Sequence, residues 1–123
     1  MERLLLVEHN LLFREGLATL LQWRTGLSSV YAGSLAEAKG VLEEAKQKPA
    51  CIIVDLDLPD GEGNELLKEL DGTPVLALIK DRNLERQAEA MRLGAEEVLR
   101  TGSVEKIAAT VERLIGPRSI TAF

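Results

Sequence analysis

The stretch that decides the fold reads Cys51-Ile52-Ile53-Val54-Asp55-Leu56-Asp57-Leu58-Pro59-Asp60-Gly61. Its first four residues are apolar and predict a strand that is buried on both faces and ends at Asp55. Pro59 and Gly61 then signal a turn. The pattern therefore places the Asp55 carboxylate at the carboxyl end of a buried strand, where functional groups gather in open α/β sheets.

Short apolar runs alternate with helical patterns along the rest of the chain. Apolar residues recur at helical spacing between the runs, and the helix starts are Asn10, Ser103 and the capping box Ser34-Leu35-Ala36-Glu37. Gly94 and Gly116-Pro117 close two helices. This alternation with short connections predicts parallel strands joined by right-handed crossovers. The apolar runs are Leu4 to Val7, Val30 to Ala32, Cys51 to Val54, Val75 to Ile79 and Val98 to Leu99.

Composition narrows the class of protein. The chain has 123 residues, of which 46% are hydrophobic and 28% charged, so it predicts one domain with a single core. The net charge is −5 and both signs are interspersed, which argues against direct nucleic acid binding by this domain. No apolar stretch is long enough for a membrane span, and no signal peptide is predicted. The single cysteine, Cys51, is expected to be buried and reduced, which favours the cytoplasm.

Four segments, in order, resemble the receiver domain of bacterial two-component response regulators. They are Leu5 to Leu17, Pro49 to Gly63, Thr73 to Leu78 and Leu93 to Glu97, and the resemblance covers residues 3 to 115. It implies an α/β, flavodoxin-like, doubly wound fold with five parallel strands in the order 2-1-3-4-5 and five helices. We expect the domain to occupy residues 1–116, and residues 117–123 to be a C-terminal tail or the start of a linker.

The resemblance also assigns a phosphorylation site. Asp55 occupies the position that accepts a phosphoryl group from a kinase histidine or a small phosphodonor, although an aspartate there can also simply cap the next turn. The implied Mg²⁺ ligands are Glu8, Asp55 and the backbone carbonyl of Asp57. His9 stands where the family places a directly ligating acid, and imidazole suits Mg²⁺ poorly, so we expect weakened Mg²⁺ binding. The alternatives for His9 are a partly exposed loop histidine, a transition-metal ligand or a phosphate carrier.

Two switch residues of the family are replaced. Ile79 stands where a Ser or Thr hydroxyl is expected, and Thr101 stands where a lysine is expected; Val98 also replaces an aromatic residue. A hydrogen bond or pair to a charged group contributes roughly 1.5–3 kcal/mol. The two losses together, on the order of 3–6 kcal/mol if additive, match the roughly 5.5 kcal/mol that drives a two-state switch. Lys80 either compensates for them or is a solvated charge at the rim of the site.

Three hypotheses remain open at this stage. The first is a non-enzymatic receiver phosphorylated at Asp55 by a sensor histidine kinase. The second is a pseudo-receiver that acts without phosphate as a constitutive docking or dimerisation module. The third, a flavin- or nucleotide-binding enzyme, lacks a glycine-rich loop after the first strand, so neither cofactor is expected. The resemblance implies residues 84–115 as the surface for a homodimer or for contact with an output domain.

Overall fold

The computed structural model describes residues 2–116 and contains seven strands and five helices. The five long strands form one sheet, and every pair of neighbours in it is parallel. In chain order the elements are β1 (Leu4–Val7), α1 (Leu11–Thr25), β2 (Ser29–Ala32), α2 (Leu35–Glu44), β3 (Cys51–Asp55), β4 (Asp57–Leu58), β5 (Gly61–Glu62), α3 (Asn64–Leu67), β6 (Val75–Ile79), α4 (Leu84–Arg92), β7 (Glu97–Arg100) and α5 (Val104–Ile115).

The strand order is β2-β1-β3-β6-β7, which confirms the predicted order 2-1-3-4-5 because β6 and β7 are the fourth and fifth long strands. The small antiparallel pair β4–β5 was not predicted. It is a hairpin of two-residue strands around the expected turn at Pro59, and helix α3 after it has only four residues. The predictions for residues 117–123 lie outside the described residues.

The helix ends mostly follow the predicted signals. The side chains of Asn10 and Ser103 accept hydrogen bonds from the backbone N–H groups three residues later. The capping box is only half formed. Ser34 Oγ accepts from the Glu37 N–H at 3.1 Å, but the Glu37 carboxylate accepts from the N–H of Gly33 at 2.6 Å instead of that of Ser34. Gly94 and Gly116 adopt positive φ angles of 115° and 74°, which suits glycine at a helix end.

Two apolar clusters cover the two faces of the sheet. Successive side chains of a strand point to opposite faces, so β1, β3 and β6 contribute alternately to both clusters. Leu5, Val54 and Ile79 lie on the face covered by α2, α3 and α4, whereas Leu6 and Cys51 lie on the face covered by α1 and α5. The predicted burial of Cys51 is confirmed.

The outer surface also carries large apolar side chains. Leu12 and Trp23 on α1, and Leu84 and Met91 on α4, are all at least half exposed. Within residues 2–116, none of the helices has the length and apolar character needed to cross a membrane.

Candidate functional site

The carboxyl ends of β1, β3 and β6 meet at one edge of the sheet and open into a cavity of about 470 Å³. Its walls come from the loop after β1, the β4–β5 hairpin and the end of β6; they include Glu8, His9, Asn10, Asp57 and Lys80. A cavity of about 480 Å³ at the opposite end of the sheet is mostly apolar and has one carboxylate, Glu44, in its wall. Of these two cavities, only the first has carboxylates from several elements of the fold in its wall.

Asp55 lies at the end of β3, beside the cavity, and is 1% exposed. Its Oδ1 accepts a hydrogen bond from the backbone N–H of Asp57 at 2.9 Å, so the carboxylate does cap the following turn. Its Oδ2 is buried, and among residues 2–116 no N–H group donates a hydrogen bond to it. Leaving a buried carboxylate oxygen without such a donor is costly. The oxygen that caps the turn, Oδ1, is therefore distinct from the oxygen that is left without an N–H donor.

A second buried carboxylate, Glu8, follows β1 and is 2% exposed. Its Oε2 accepts from the backbone N–H of Asn10 at 2.9 Å. Burial raises the pKa of Glu8 to about 7, and the negative charge of Asp55 acts in the same direction. Burial likewise raises the pKa of Asp55. The hydrogen bond from the Asp57 N–H, a side-chain hydrogen bond with Glu8 and the positive charge of Lys80 act in the opposite direction. Two carboxylates in one desolvated site resist full ionisation unless a cation joins them.

The donors at the site suit a hard divalent cation. The carboxylate oxygens of Glu8 and Asp55 and the backbone carbonyl of Asp57, the ligands that the sequence predicts, would make an all-oxygen set of the kind that Mg²⁺ prefers. Within residues 2–116, no group of three or more His, Cys, Asp or Glu side chains is arranged to hold a metal, so the carbonyl would have to complete the set. His9 is exposed, as expected for a loop histidine. Its Nδ1 lies 3.9 Å from the position that a Cβ on Gly33 would occupy.

Lys80 is the cation nearest to the acceptor position. It follows β6 directly, its side chain is 60% exposed, and its Nζ lies 3.9 Å from Asp55 Oδ2. This distance is at the outer limit of an ion pair, and exposed pairs contribute little to stability. The Lys80 side chain is thus a solvated charge at the rim of the site whose ammonium approaches Asp55 Oδ2; its compensation for the replaced switch residues stays a prediction.

Ile79 and Thr101, the two positions at which the sequence predicts replaced switch residues, differ in burial. Ile79 is fully buried in the apolar cluster with Val54 and Ala90, and Val98 packs against the same cluster. Thr101 is half-buried, and its backbone N–H donates to the carbonyl oxygen of Ile79 at 3.2 Å. Neither side chain has a hydrogen bond among the described residues that would tie it to Asp55.

Contacts of the β4–β5 hairpin were not foreseen from the sequence. The sequence indicates only a turn at Asp60. In the structure, the Asp60 carboxylate accepts hydrogen bonds from the N–H groups of Leu35 and Ala36, at 2.8 and 3.0 Å, and so caps α2. On the other side, Arg86 of α4 donates to Asp57 and, through two nitrogens, to Glu62. The pairs are 24 to 29 residues apart in sequence and leave no periodic signal by which they could have been found.

Relatives of this chain are response regulators. The chain is 34% identical over 102 residues to the KDP operon transcriptional regulatory protein KdpE of Escherichia coli K12, covering 80% of this chain and 44% of that protein. It is 31% identical over 118 residues to the transcriptional regulatory protein QseB of Escherichia coli O157:H7, covering 92% and 52%. The chain thus spans about half the length of these curated relatives.

Solved structures agree on the fold. A response regulator of Burkholderia pseudomallei, crystallised with a phosphorylated aspartic acid, a calcium ion and citrate, superposes with a TM-score of 0.79 at 24% identity, covering 94% of this chain and 69% of that one. The family model described as the response regulator receiver domain matches residues 4–111. On these matches, the chain belongs to the receiver domain family of two-component response regulators.

Proposed function

We propose that this domain accepts a phosphoryl group on Asp55 and that its response to phosphorylation is weak. The observation that carries the first part is the buried Oδ2 of Asp55, to which no N–H group of residues 2–116 donates a hydrogen bond and which lies 3.9 Å from Lys80 Nζ. The relative from Burkholderia pseudomallei has a phosphorylated aspartic acid on the same fold. We propose a signalling role without enzymatic activity, as is general for receiver domains.

The proposed step is a displacement at phosphorus. Asp55 Oδ2 attacks the phosphorus atom of a phosphohistidine or of acetyl phosphate, the new P–O bond forms, and the histidine or acetate leaves with the electron pair of the broken bond. Receiver domains bind Mg²⁺ at the phosphorylation site; here Glu8, Asp55 and the Asp57 carbonyl would hold it, and when bound it neutralises phosphoryl charge. Lys80 would add a second positive charge at the rim.

The second part of the proposal concerns the response. Ile79 supplies no hydroxyl and Thr101 no ammonium, so a phosphoryl group on Asp55 meets neither of the family's usual switch partners. Each such contact is worth roughly 1.5–3 kcal/mol to a charged group. A phosphoryl group shifts the populations of two conformations only as far as its contacts differ between them. Without these two contacts, the shift should be small.

Intact-protein mass after incubation with acetyl phosphate tests acceptance. We expect a phosphoryl adduct that needs Mg²⁺, is absent from Asp55→Asn, and persists in Asp71→Asn, which removes an exposed loop carboxylate outside the site. Lys80→Gln should slow formation of the adduct. Failure to label the wild-type protein, under conditions that label an ordinary receiver, would contradict the proposal.

A phosphate-independent docking module is the second candidate function. It is favoured by one observation: the hairpin that forms a wall of the site is already fastened to α2 by Asp60 and to α4 by Arg86 without any phosphoryl group. Receiver domains pair with histidine kinases and can dimerise, and we place the partner surface at residues 84–115, where Leu84 and Met91 are exposed. Under this alternative Asp55→Asn leaves partner binding unchanged; under the first it abolishes any phosphate-dependent binding.

A further inference from the structure

Arg86 lies at the centre of a cluster of three carboxylates beside the proposed acceptor site. Its Nη2 is 2.9 Å from Asp57 Oδ1 and 2.9 Å from Glu62 Oε1, its Nε is 3.1 Å from Glu62 Oε2, and its Nη1 is 3.5 Å from Asp81 Oδ2. The Arg86 side chain is only 20% exposed. A forked contact of a guanidinium with a carboxylate fixes geometry more strongly than an isolated exposed pair does.

The contacts of Arg86 join two segments that have different tasks. Asp57 and Glu62 belong to the β4–β5 hairpin, which follows the acceptor directly, whereas Arg86 is in the first turn of α4. Among residues 2–116, every ion pair and side-chain hydrogen bond that joins the loop 56–63 to α4 involves Arg86. The carbonyl of Asp57 is also the predicted metal ligand. A shift of the Asp57 backbone would therefore be transmitted to α4 through the contact of the Asp57 side chain with Arg86.

We propose that Arg86 is a positioning residue that holds the acceptor loop against α4 and makes the two segments move together. The signalling use of this link rests on the proposed phosphorylation of Asp55; the link itself does not. In a chain that has no hydroxyl at Ile79 and no ammonium at Thr101, the link leaves one route from the site to the surface around Leu84 and Met91, in keeping with a weak response.

Amide hydrogen exchange without any ligand tests the link. We expect Arg86→Gln to accelerate exchange in residues 57–63 by roughly fivefold or more, the lower end of couplings between linked sites. Because coupling is reciprocal, Glu62→Gln should accelerate exchange in the first turn of α4. The matched control is Arg92→Gln, on the same helix, whose ion pair with Glu89 stays within α4. Amides of the central strands β1 and β3 report global destabilisation, which would raise exchange everywhere.

The same measurement with Mg²⁺ and beryllofluoride tests transmission. In the wild-type protein we expect slower exchange in residues 57–63 and in α4; in Arg86→Gln only residues 57–63 should respond. An α4 response that survives in Arg86→Gln overturns the proposed route, and unchanged ligand-free exchange of the loop in that variant overturns the link. If residues 57–63 of the wild-type protein ignore the ligand, phosphate acceptance fails, while the ligand-free comparison still decides the role of Arg86.

Discussion

At the scale of single residues, the two buried carboxylates of the site oppose the stability of the fold. The folded state raises the pKa values of Glu8 and Asp55 above their ordinary values of 4.5 and 3.8, so the folded chain holds protons that the unfolded chain has released. Between about pH 4.5 and 7 the folded state therefore binds more protons, and the free energy of unfolding falls as the pH rises.

Glu8→Gln should therefore stabilise the domain in alkaline solution and have little effect in acid. From the shift of Glu8 to about 7, we expect a gain on the order of 2–3 kcal/mol at pH 8.5 that nearly disappears at pH 4.5. Urea unfolding at both pH values, without divalent cations, measures it. Glu43→Gln, at an exposed carboxylate on α2, serves as the control. An equal gain at both pH values would show that ionisation of Glu8 is not the cause.

Gly63 and Gly40 should respond oppositely to replacement by alanine. A Cβ on Gly63 would lie 2.6 Å from the Asp55 carbonyl oxygen and 2.7 Å from Leu56 Cα, whereas one on Gly40 meets nothing within 4 Å. We expect Gly63→Ala to cost about 1–3 kcal/mol, as overpacking does. Gly40→Ala, inside α2, should gain up to about 1 kcal/mol from its helix propensity. Chemical denaturation compares them, and similar values for both variants would contradict the packing argument.

At the scale of elements, the β4–β5 hairpin serves as a brace between α2 and α4. Asp60 supplies the first half of this brace by accepting two N–H groups at the start of α2. Those hydrogen bonds lower the pKa of Asp60 below its usual 3.8. The resulting stabilisation is present above that unfolded-state value and is lost as the pH falls through the folded-state value.

Asp60→Ala should loosen the start of α2 without unfolding the domain. We expect faster amide exchange at Leu35 and Ala36 at neutral pH, because their N–H groups lose their acceptor. Asp71→Ala, at another exposed loop aspartate, is the matched control. Unchanged exchange at Leu35 and Ala36 would mean that Ser34 alone caps the helix.

The elements themselves could be predicted, and the brace could not. Strands β1, β3 and β6 are continuous apolar runs, and the helix starts at Asn10 and Ser103 follow local rules, so a single sequence carries both signals. Strands of two residues, such as β4, are too short to show a period. The contacts of Arg86 and Asp60 depend on which charged side chains the fold brings together, which no local pattern encodes. For the same reason, the sequence does not decide whether Lys80 approaches Asp55.

At the scale of the whole molecule, the thiol of Cys51 reports whether the core is closed. Cys51 is fully buried, and burial raises the pKa of its thiol to about 12. A thiol reagent therefore reaches a reactive thiolate only when the sheet opens.

Labelling of Cys51 should be roughly 10³-fold or more slower in the native protein than in strong denaturant, in line with the folding equilibria of small domains. Time courses with an aromatic disulfide reagent measure this directly. In Lys46→Cys, which adds a thiol at an exposed position, one thiol should react at once and the other slowly. Two fast thiols would mean that the core around Cys51 opens locally.

The exposure of Trp23 decides what an optical experiment on this domain detects. The indole is 81% exposed near the end of α1, about 20 Å along the helix axis from Asn10 at 1.5 Å per residue. It is the only tryptophan of the chain. Because the indole is exposed and distant from Asp55, we expect its emission to resemble that of the unfolded chain and to stay constant on phosphorylation of Asp55. A blue shift or quenching on mixing with another protein would therefore identify a partner that covers the outer face of α1.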